Sequence, residues 1–253
     1  MALVKLNSLL KYNNSLLKVK PPFVKLSYFN NYSNSVDTPI YGDPYTIENN
    51  GHLIKNTMII NGITYPSLKL YGSGYWCNFD MGLDFNEVES ITIDLFSRLN
   101  VDGGWASPCS PFNAWPAFWG DNWGGGRGSG VTNEVSSPIV TIYQNPNLRN
   151  LYADSWYMRV NNNITANVIF HLAYVYKWIN SDMIEQKIYV NGELQTIINI
   201  PKTFLTVNKI GMDTNHTSSC YVEFSQVAIR VGDYSINEGQ NFPVPTEPYA
   251  QWQ

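Results

Sequence analysis

The sequence predicts an all-β protein, a two-sheet antiparallel β-sandwich preceded by an extended N-terminal arm. Residues 168–178 are β-branched and aromatic and are apolar on both faces, as a strand at the centre of a covered sheet requires. Two dipeptides, Asn61-Gly62 and Asn191-Gly192, each separate a pair of β-like runs and favour type I′ hairpin turns. Charged residues make up only 14% of the chain, so uncharged polar and aromatic residues replace much of the usual charged surface.

The first fifty residues are predicted to form an N-terminal arm and linker that serves in assembly or attachment. Short alternating runs up to residue 29 favour short strands or an extended arm, and Pro21-Pro22 stops the run that precedes it. An arm this apolar must be buried, either as a strand added to the domain's own sheet or against a neighbouring copy or a larger assembly. Residues 30–50 are rich in turn-forming residues and mark the boundary.

Residues 51–253 are predicted to form the sandwich domain, because β-like runs follow one another from this point. The first are HLIKNTMII, ITYPSLKLYG, GYWCNFD and VESITIDLFSRL; later ones are PIVTIYQ, SWYMRV, the central unit around residues 168–200, KIGMD and CYVEFSQVAIRV. In the last run the apolar phase shifts between Phe224 and Val227, which predicts a β-bulge.

A Trp-rich segment, residues 101–137, interrupts the strands and is predicted to lack regular secondary structure. So many aromatic residues argue against disorder. One interpretation is a binding surface on which rigid aromatic faces stack against sugar rings or anchor a protein. The other is a loop folded onto the sandwich with its tryptophans in the core. The predicted ligand-binding residues, all within loop 103–130, are Trp105, Trp115, Trp119 and Trp123.

Several classes of function are excluded by composition and spacing. The net charge of −4 provides no basic surface for nucleic acid. The three histidines lack metal-ligand spacing, so no metal and no cofactor is predicted, and His171 is predicted to be a hydrogen-bonded core or groove residue rather than a catalytic one. The three cysteines have no paired spacing and are predicted to be reduced and buried. No signal peptide and no membrane span are predicted.

The order of strands resembles a known family. ITYPSLKLYGSGYWCNFD, with the run that follows it, is similar to the opening strands of laminin-G-like, concanavalin A-type jelly-roll domains. VIFHLAYVYKW and QKIYVNGELQ resemble the family's central strand and hairpin, and KIGMDTNHTSSCYVEFSQVAIRVGDYS resembles its closing strands. The resemblance covers roughly residues 60–235 and implies a lectin-like sandwich.

The family's glycoside hydrolases carry a cluster of three acids on one strand, which supplies the acid/base and the nucleophile. The nearest acids here are Glu87, Glu89 and Asp94 in NEVESITIDLF, and the central Asp of the cluster is replaced by Val88. This departure predicts that the chain is not an enzyme.

A lectin-like domain with an apolar leading arm, rich in Asn and Tyr, resembles virion components of tailed bacteriophages. The resemblance implies a non-enzymatic structural or appendage protein, such as a head decoration, fibre or tail component, located in the virion after assembly in the host cytoplasm. The expected partners are other copies of the chain and other virion proteins, bound through the arm, with host-surface glycan as a further candidate. The alternative is a stand-alone carbohydrate-binding module that uses the Trp-rich loop.

Overall fold

The computed structural model of the chain describes residues 4–6, 9–12, 15–18, 23–49, 52–72, 75–83, 88–100, 105–112, 139–140, 142–143, 157–158, 165–202, 205, 208–215, 220–235 and 241–246. The strands in these ranges are β1 (Val4–Leu6), β2 (Leu9–Tyr12), β3 (Ser15–Lys18), β4 (Phe23–Ser27), β5 (Val36–Asp37), β6 (Tyr45–Asn49), β7 (Leu53–Ile60), β8 (Ile63–Tyr71), β9 (Tyr75–Asp80), β10 (Ser90–Asn100), β11 (Trp105–Pro111), β12 (Ile139–Val140), β13 (Ile142–Tyr143), β14 (Tyr157–Met158), β15 (Phe170–Trp178), β16 (Met183–Val190), β17 (Glu193–Pro201), β18 (Lys209–Asn215) and β19 (Tyr221–Val231). Within them the chain forms no α-helix, and so no helix that could cross a membrane.

Most of the strands belong to two antiparallel sheets. The large sheet has the spatial order β17-β16-β15-β10-β19-β8-β7, and β4 is its eighth strand, paired with β19. The six-stranded sheet has the order β13-β11-β18-β9-β6-β5. Strands β1–β3 form a separate antiparallel sheet, and β12 pairs with β14 in parallel. The predicted all-β, two-sheet antiparallel sandwich is confirmed.

The hydrophobic core lies between the two sheets. Leu95 and Tyr174 from the large sheet pack in one cluster with Phe79 and Met212 from the six-stranded sheet, and all four side chains are fully buried. Each such side chain stabilises the fold by about 1.5–3 kcal/mol relative to its exposure to water. The cysteines are free and buried, as predicted: Cys77, Cys109 and Cys220.

The predicted central unit is confirmed. β15 is buried on both faces, with Tyr174 facing the core between the sheets and Val175 facing a second apolar cluster on the other side. β16 and β17 follow as a hairpin, and Asn191-Gly192 at its turn has φ angles of 49° and 83°. Both angles are positive, as a type I′ turn requires. The pair Asn61-Gly62 joins β7 to β8 in the same way.

The predicted bulge in β19 is also confirmed. Asp94 of β10 pairs with Ala228 and Phe96 pairs with Ser225, so two residues of β19 face one residue of β10. Gln226, one of those two, has a positive φ of 53°. The bulge lies where the other edge of β19 changes partner from β8 to β4.

Residues 23–49 belong to the sandwich, although the predicted boundary at residue 50 assigned them to the arm and linker. β4 pairs with β19 in the large sheet, and β6 pairs with β9 in the six-stranded sheet. Phe29 and Ile47 are buried in the main core. The turn-rich composition of residues 30–50 hid this role, because the strands there are only two and five residues long.

The outer face of the large sheet, which points away from the six-stranded sheet, is covered over part of its area. Residues 241–246, here called the strap, cross this face. At one edge the Phe242 amide donates to the Gly192 carbonyl oxygen at 2.8 Å, and at the other the Asn61 side chain donates to two strap carbonyls at 3.3 Å. The strap therefore joins the two Asn-Gly hairpins across the sheet.

The two hairpin glycines provide a matched test of the strap. Gly192 and Gly62 have nearly equal φ angles of +83° and +81°, but an added Cβ at Gly192 would lie 2.7 Å from the Phe242 carbonyl oxygen. At Gly62 no described atom lies within 4 Å. We expect Gly62→Ala to lower the free energy of unfolding by about 1 kcal/mol and Gly192→Ala to lower it by at least about 2 kcal/mol. Urea denaturation measures both, and equal losses would contradict the position of the strap.

Candidate functional site

The strap covers only part of the outer face of the large sheet. Beyond the strap, towards Tyr71 and Tyr221, no described segment covers this face. Polar and aromatic side chains from β7, β8, β10 and β19 meet there, and Asn56 and Tyr71 are exposed to solvent. We call this surface the Glu223 patch, and its residues are Asn56, Ser67, Lys69, Tyr71, Arg98, Asn167, Tyr221 and Glu223.

Glu223 is the centre of the patch, and its side chain is fully buried. Arg98 lies opposite it on β10, and its Nε and Nη2 donate to Oε2 at 3.1 and 2.5 Å. Ser67 and Asn56 donate to Oε1 at 2.5 and 3.0 Å. Both carboxylate oxygens are therefore fully engaged, as a buried charge requires.

These four bonds decide what Glu223 can do. A carboxylate whose two oxygens accept bonds from four donors is poorly placed to abstract or donate a proton. It instead fixes the orientation of its neighbours, above all Arg98, whose side chain is 28% exposed. Glu223 is thus a positioning residue that holds donors at the surface.

The aromatic half of the patch lies beside Glu223 on β8 and β19. Tyr71 and Tyr221 pair across the two strands, and the Lys69 ammonium lies 5.4 and 4.0 Å from their ring centroids. The Tyr221 hydroxyl donates to Asn167 Oδ1 at 2.5 Å, and burial raises the pKa of Tyr221. Tyr71 is 46% exposed, so part of its ring is free to stack against a ligand.

Another aromatic pair lies next to Tyr71. His52 is exposed, and its ring stacks on that of Tyr75 with centroids 3.5 Å apart. Gly72 makes this arrangement possible, because its φ is +109° and an added Cβ would lie 2.3 Å from the Tyr75 ring. The end of the sandwich that carries the Glu223 patch is therefore lined with aromatic rings.

A second charged cluster lies under the strap and is buried. Asp94 accepts from Arg230 at 2.7 Å and contacts His171 Nε2 at 3.0 Å. The His171 ring stacks on Phe242 of the strap, with centroids 5.6 Å apart. The prediction that His171 is a hydrogen-bonded core residue is confirmed. Of the three acids compared with the hydrolase cluster, Glu89 is exposed, Asp94 is paired in this way, and Glu87 lies outside the described residues.

A third cluster surrounds Lys25, which is 3% exposed. Its ammonium donates to the Asp80 carbonyl oxygen and lies 3.7 Å from the centre of the Tyr45 ring. Burial lowers the pKa of Lys25 to about 8, against the opposing effect of nearby carboxylates such as Asp37. Burial raises the pKa of Asp37, which accepts a hydrogen bond from Ser27.

The four tryptophans predicted as ligand-binding residues are not tested by these contacts. Trp115, Trp119 and Trp123 lie outside the described residues, and only the backbone of Trp105, at the start of β11, is described. The prediction that residues 101–137 lack regular structure is wrong for residues 105–111.

β11 was missed because two prolines made this run resemble a loop. Its pairing with β18 is interrupted between Ser107 and Ser110, so Pro108 falls where the ladder needs no donor. The Cys109 carbonyl oxygen accepts from the Tyr174 hydroxyl at 2.5 Å, and the Phe112 ring meets Tyr176 edge-on in the core.

The Glu223 patch was missed because its residues are scattered along the sequence. Lys69, Arg98 and Glu223 lie on three strands, and only the register places each cation directly opposite Glu223. One signal was present. A single Glu in the apolar run CYVEFSQVAIRV predicts a buried acid that needs a partner.

The fold is similar to several solved structures. The binding domain of botulinum neurotoxin DC in complex with SialylT is 14% identical, with a TM-score of 0.51 over 83% of this chain and 48% of that chain. The botulinum neurotoxin type G receptor-binding domain is 16% identical, with a TM-score of 0.49 over 85% of this chain and 49% of that one. The endo-β-1,4-glucuronan lyase from the fungus Trichoderma reesei is 12% identical, with a TM-score of 0.50 over 87% of this chain and 100% of that one.

The chain spans about half the length of the neurotoxin domains that it matches. No protein-family model matches it, and no curated protein sequence matches it. At these identities the likeness concerns the fold, a β-sandwich.

The Lys25 cluster predicts a pH dependence of stability. Below pH 8 Lys25 is charged in both folded and unfolded chains, and the cost of burying the charge is fully present. Between pH 8 and about 10.5 the folded chain loses this proton first, so the unfolded chain binds more protons and stability rises with pH. We expect wild type to gain on the order of 3 kcal/mol relative to Lys25→Met across this window. Chemical denaturation at several pH values measures the difference, and a constant difference would contradict the buried charge.

Proposed function

We propose that this chain is a non-enzymatic glycan-binding domain whose binding surface is the Glu223 patch. The observation that carries the proposal is the fully buried Glu223, which holds Arg98 and Asn56 on the same face of the sheet as the exposed ring of Tyr71. A saccharide ring has apolar C–H faces and polar edges, so it is recognised by an aromatic face together with fixed hydrogen-bonding groups. The patch provides both within one open region.

Preorganisation favours binding at this surface. Four hydrogen bonds fix Glu223, and through it the donors that surround it, before any ligand arrives. Less side-chain entropy is then lost on binding, because these side chains are already ordered. The architecture also agrees with the proposal, since one similar structure is a binding domain in complex with SialylT and another is a glucuronan lyase.

The non-enzymatic part of the proposal rests on how the acids are engaged. Retaining glycoside hydrolysis needs two carboxyl groups about 5 Å apart that can exchange protons with the substrate. Both oxygens of Glu223 accept two bonds each, and Asp94 is held by Arg230 and His171 under the strap. We expect no new reducing ends when the protein is incubated with the saccharides that it binds.

We further propose that the domain is a structural or appendage component of a virion, attached through its leading segment. The supporting observation is that β1–β3 pair with one another and, among the described residues, with no strand of the sandwich. Self-contained strands ahead of a folded domain suit docking against another copy or another protein. The alternative, a module that binds sugar through Trp-rich loop 103–130, stays a prediction.

The Tyr71 ring tests the glycan-binding proposal. A glycan array first selects a saccharide that the protein binds. We expect Tyr71→Ala to lower the affinity for that saccharide about tenfold, the effect of losing about 1.4 kcal/mol of stacking. Ile197→Ala is the control, because Ile197 is 47% exposed, close to the 46% of Tyr71. It lies on β17, at the opposite edge of the large sheet from β7 and β8. Isothermal titration calorimetry measures the affinity of both variants for this saccharide. Equal affinities for wild type and Tyr71→Ala would show that the Glu223 patch is not the binding site.

The leading segment tests the attachment proposal. Removal of residues 1–20 stops short of β4, which is paired within the large sheet, so the sandwich keeps its strands. We expect light scattering to find an oligomer for the full chain and a monomer after truncation, with the same thermal midpoint. An unchanged mass would show that the segment does not assemble the chain with itself.

A further inference from the structure

We infer that the Glu223 patch recognises an acidic saccharide, with an anionic group of the sugar, a carboxylate or a sulfate, bound between Arg98 and Lys69. This inference rests on the proposed glycan-binding function and names the class of ligand. Its basis is the balance of donors, acceptors and charge that remains at the surface once the internal bonds of the patch are made.

The groups left for a ligand are mostly donors. Among the residues that the structure describes, Arg98 uses Nε and Nη2 on Glu223, and no described group engages its Nη1. The Lys69 ammonium lies over two tyrosine rings, a contact that leaves its N–H groups free to donate. Asn167 Oδ1 already accepts from Tyr221, so its amide nitrogen remains as a further donor.

Acceptors are fewer at the same surface, although the Tyr71 and Tyr221 hydroxyl oxygens can accept. Both oxygens of Glu223 already accept two hydrogen bonds each. The amide of Asn56 points its nitrogen at Glu223 and leaves its oxygen as an acceptor. A neutral sugar hydroxyl both donates and accepts, whereas a carboxylate or sulfate oxygen only accepts, so this set of groups suits the anion.

Charge favours the same ligand. The patch holds two cations, Arg98 and Lys69, and one carboxylate, whereas the whole chain carries a net charge of −4. Both cations are partly exposed, and Nη1 of Arg98 and the ammonium of Lys69 remain to donate to carboxylate or sulfate oxygens. A local excess of positive charge on an acidic protein favours an anionic ligand.

The register places these groups at the scale of a monosaccharide. Lys69 and Arg98 are the cross-strand neighbours of Glu223 on opposite sides, so their backbones are two strand spacings apart, roughly 10 Å. The Arg98 guanidinium lies on the buried carboxylate, and the Lys69 ammonium lies over the ring of Tyr221, the next residue of β19 on the same face. Tyr71 lies two residues beyond Lys69 on the same face of β8, where it can stack on the ring whose anionic group the cations hold.

The experiment is calorimetric titration of the full-length protein with three probes of equal length. They are a hexuronate oligosaccharide, its carboxyl-reduced neutral counterpart, and a sulfated form of that neutral oligosaccharide. We expect at least one anionic probe to bind about tenfold tighter than the neutral one, and 0.5 M salt to weaken only the anionic probes. The two anionic probes distinguish carboxylate from sulfate.

Lys69→Met is the test variant, and Lys209→Met is its control. Lys209 pairs with exposed Glu48 on the six-stranded sheet, so both variants change the net charge equally. We expect Lys69→Met to lose about tenfold in affinity for the anionic probe with little change for the neutral one, and Lys209→Met to bind like wild type. Arg98 is kept, because its removal would leave Glu223 buried and unpaired.

The outcomes separate this inference from the proposed function. Equal binding of neutral and anionic probes, with Tyr71→Ala still weakening both, would overturn the acidic ligand and keep the glycan site. An equal loss in Lys69→Met and Lys209→Met would overturn the role of Lys69 and attribute the selectivity to overall charge. Binding of no saccharide by a folded protein would overturn both the inference and the proposed function.

Discussion

The architecture depends on one constraint, that the central strands of the large sheet are apolar on both faces. β15 directs Tyr174 into the core and Val175 to the opposite side. A sandwich of two sheets alone would therefore leave one apolar face of β15 in water. The chain meets this requirement with two elements beyond the two-sheet core. The segment after β4 adds Tyr28, Ile40 and Tyr41 to a cluster with Ala228, and the strap places Phe242 over Val175 and His171. Coverage of the outer face is therefore a condition of the fold, because exposed apolar area of this size would destabilise it.

The Glu223 patch lies where the outer face of the large sheet is not covered. Where the strap and the segment after β4 do not reach, the outward residues of the large sheet become more polar, and a buried carboxylate, Glu223, replaces the apolar side chains. Burying an ion is unfavourable unless every lone pair is bonded, and the four donors around Glu223 meet that requirement. The same bonds fix Arg98 and Asn56 at the surface. The rigidity that stabilises this end of the sheet is thus also what makes it suited to recognise a ligand.

The sequence was informative where structure is local. The two Asn-Gly turns, the covered central strand and the bulge in β19 each leave a signal within about ten residues, and all were predicted. It was uninformative where a strand is short or interrupted, as in β6 and in β11 with its proline at a break in the ladder. The Glu223 patch could not be predicted, because Lys69 and Arg98 meet Glu223 only through long-range register. A buried acid in an apolar strand indicates that a partner exists, but not which residue it is.

The most direct test of the account is to map the binding surface by solution NMR, with the isotope-labelled protein and an acidic oligosaccharide. We expect the backbone amide shifts to change around Lys69, Tyr71, Arg98 and Tyr221, while those under the strap, such as that of His171, stay in place. Changes confined to the Trp-rich loop 103–130, with the patch unaffected, would contradict this expectation and assign recognition to the tryptophans of that loop.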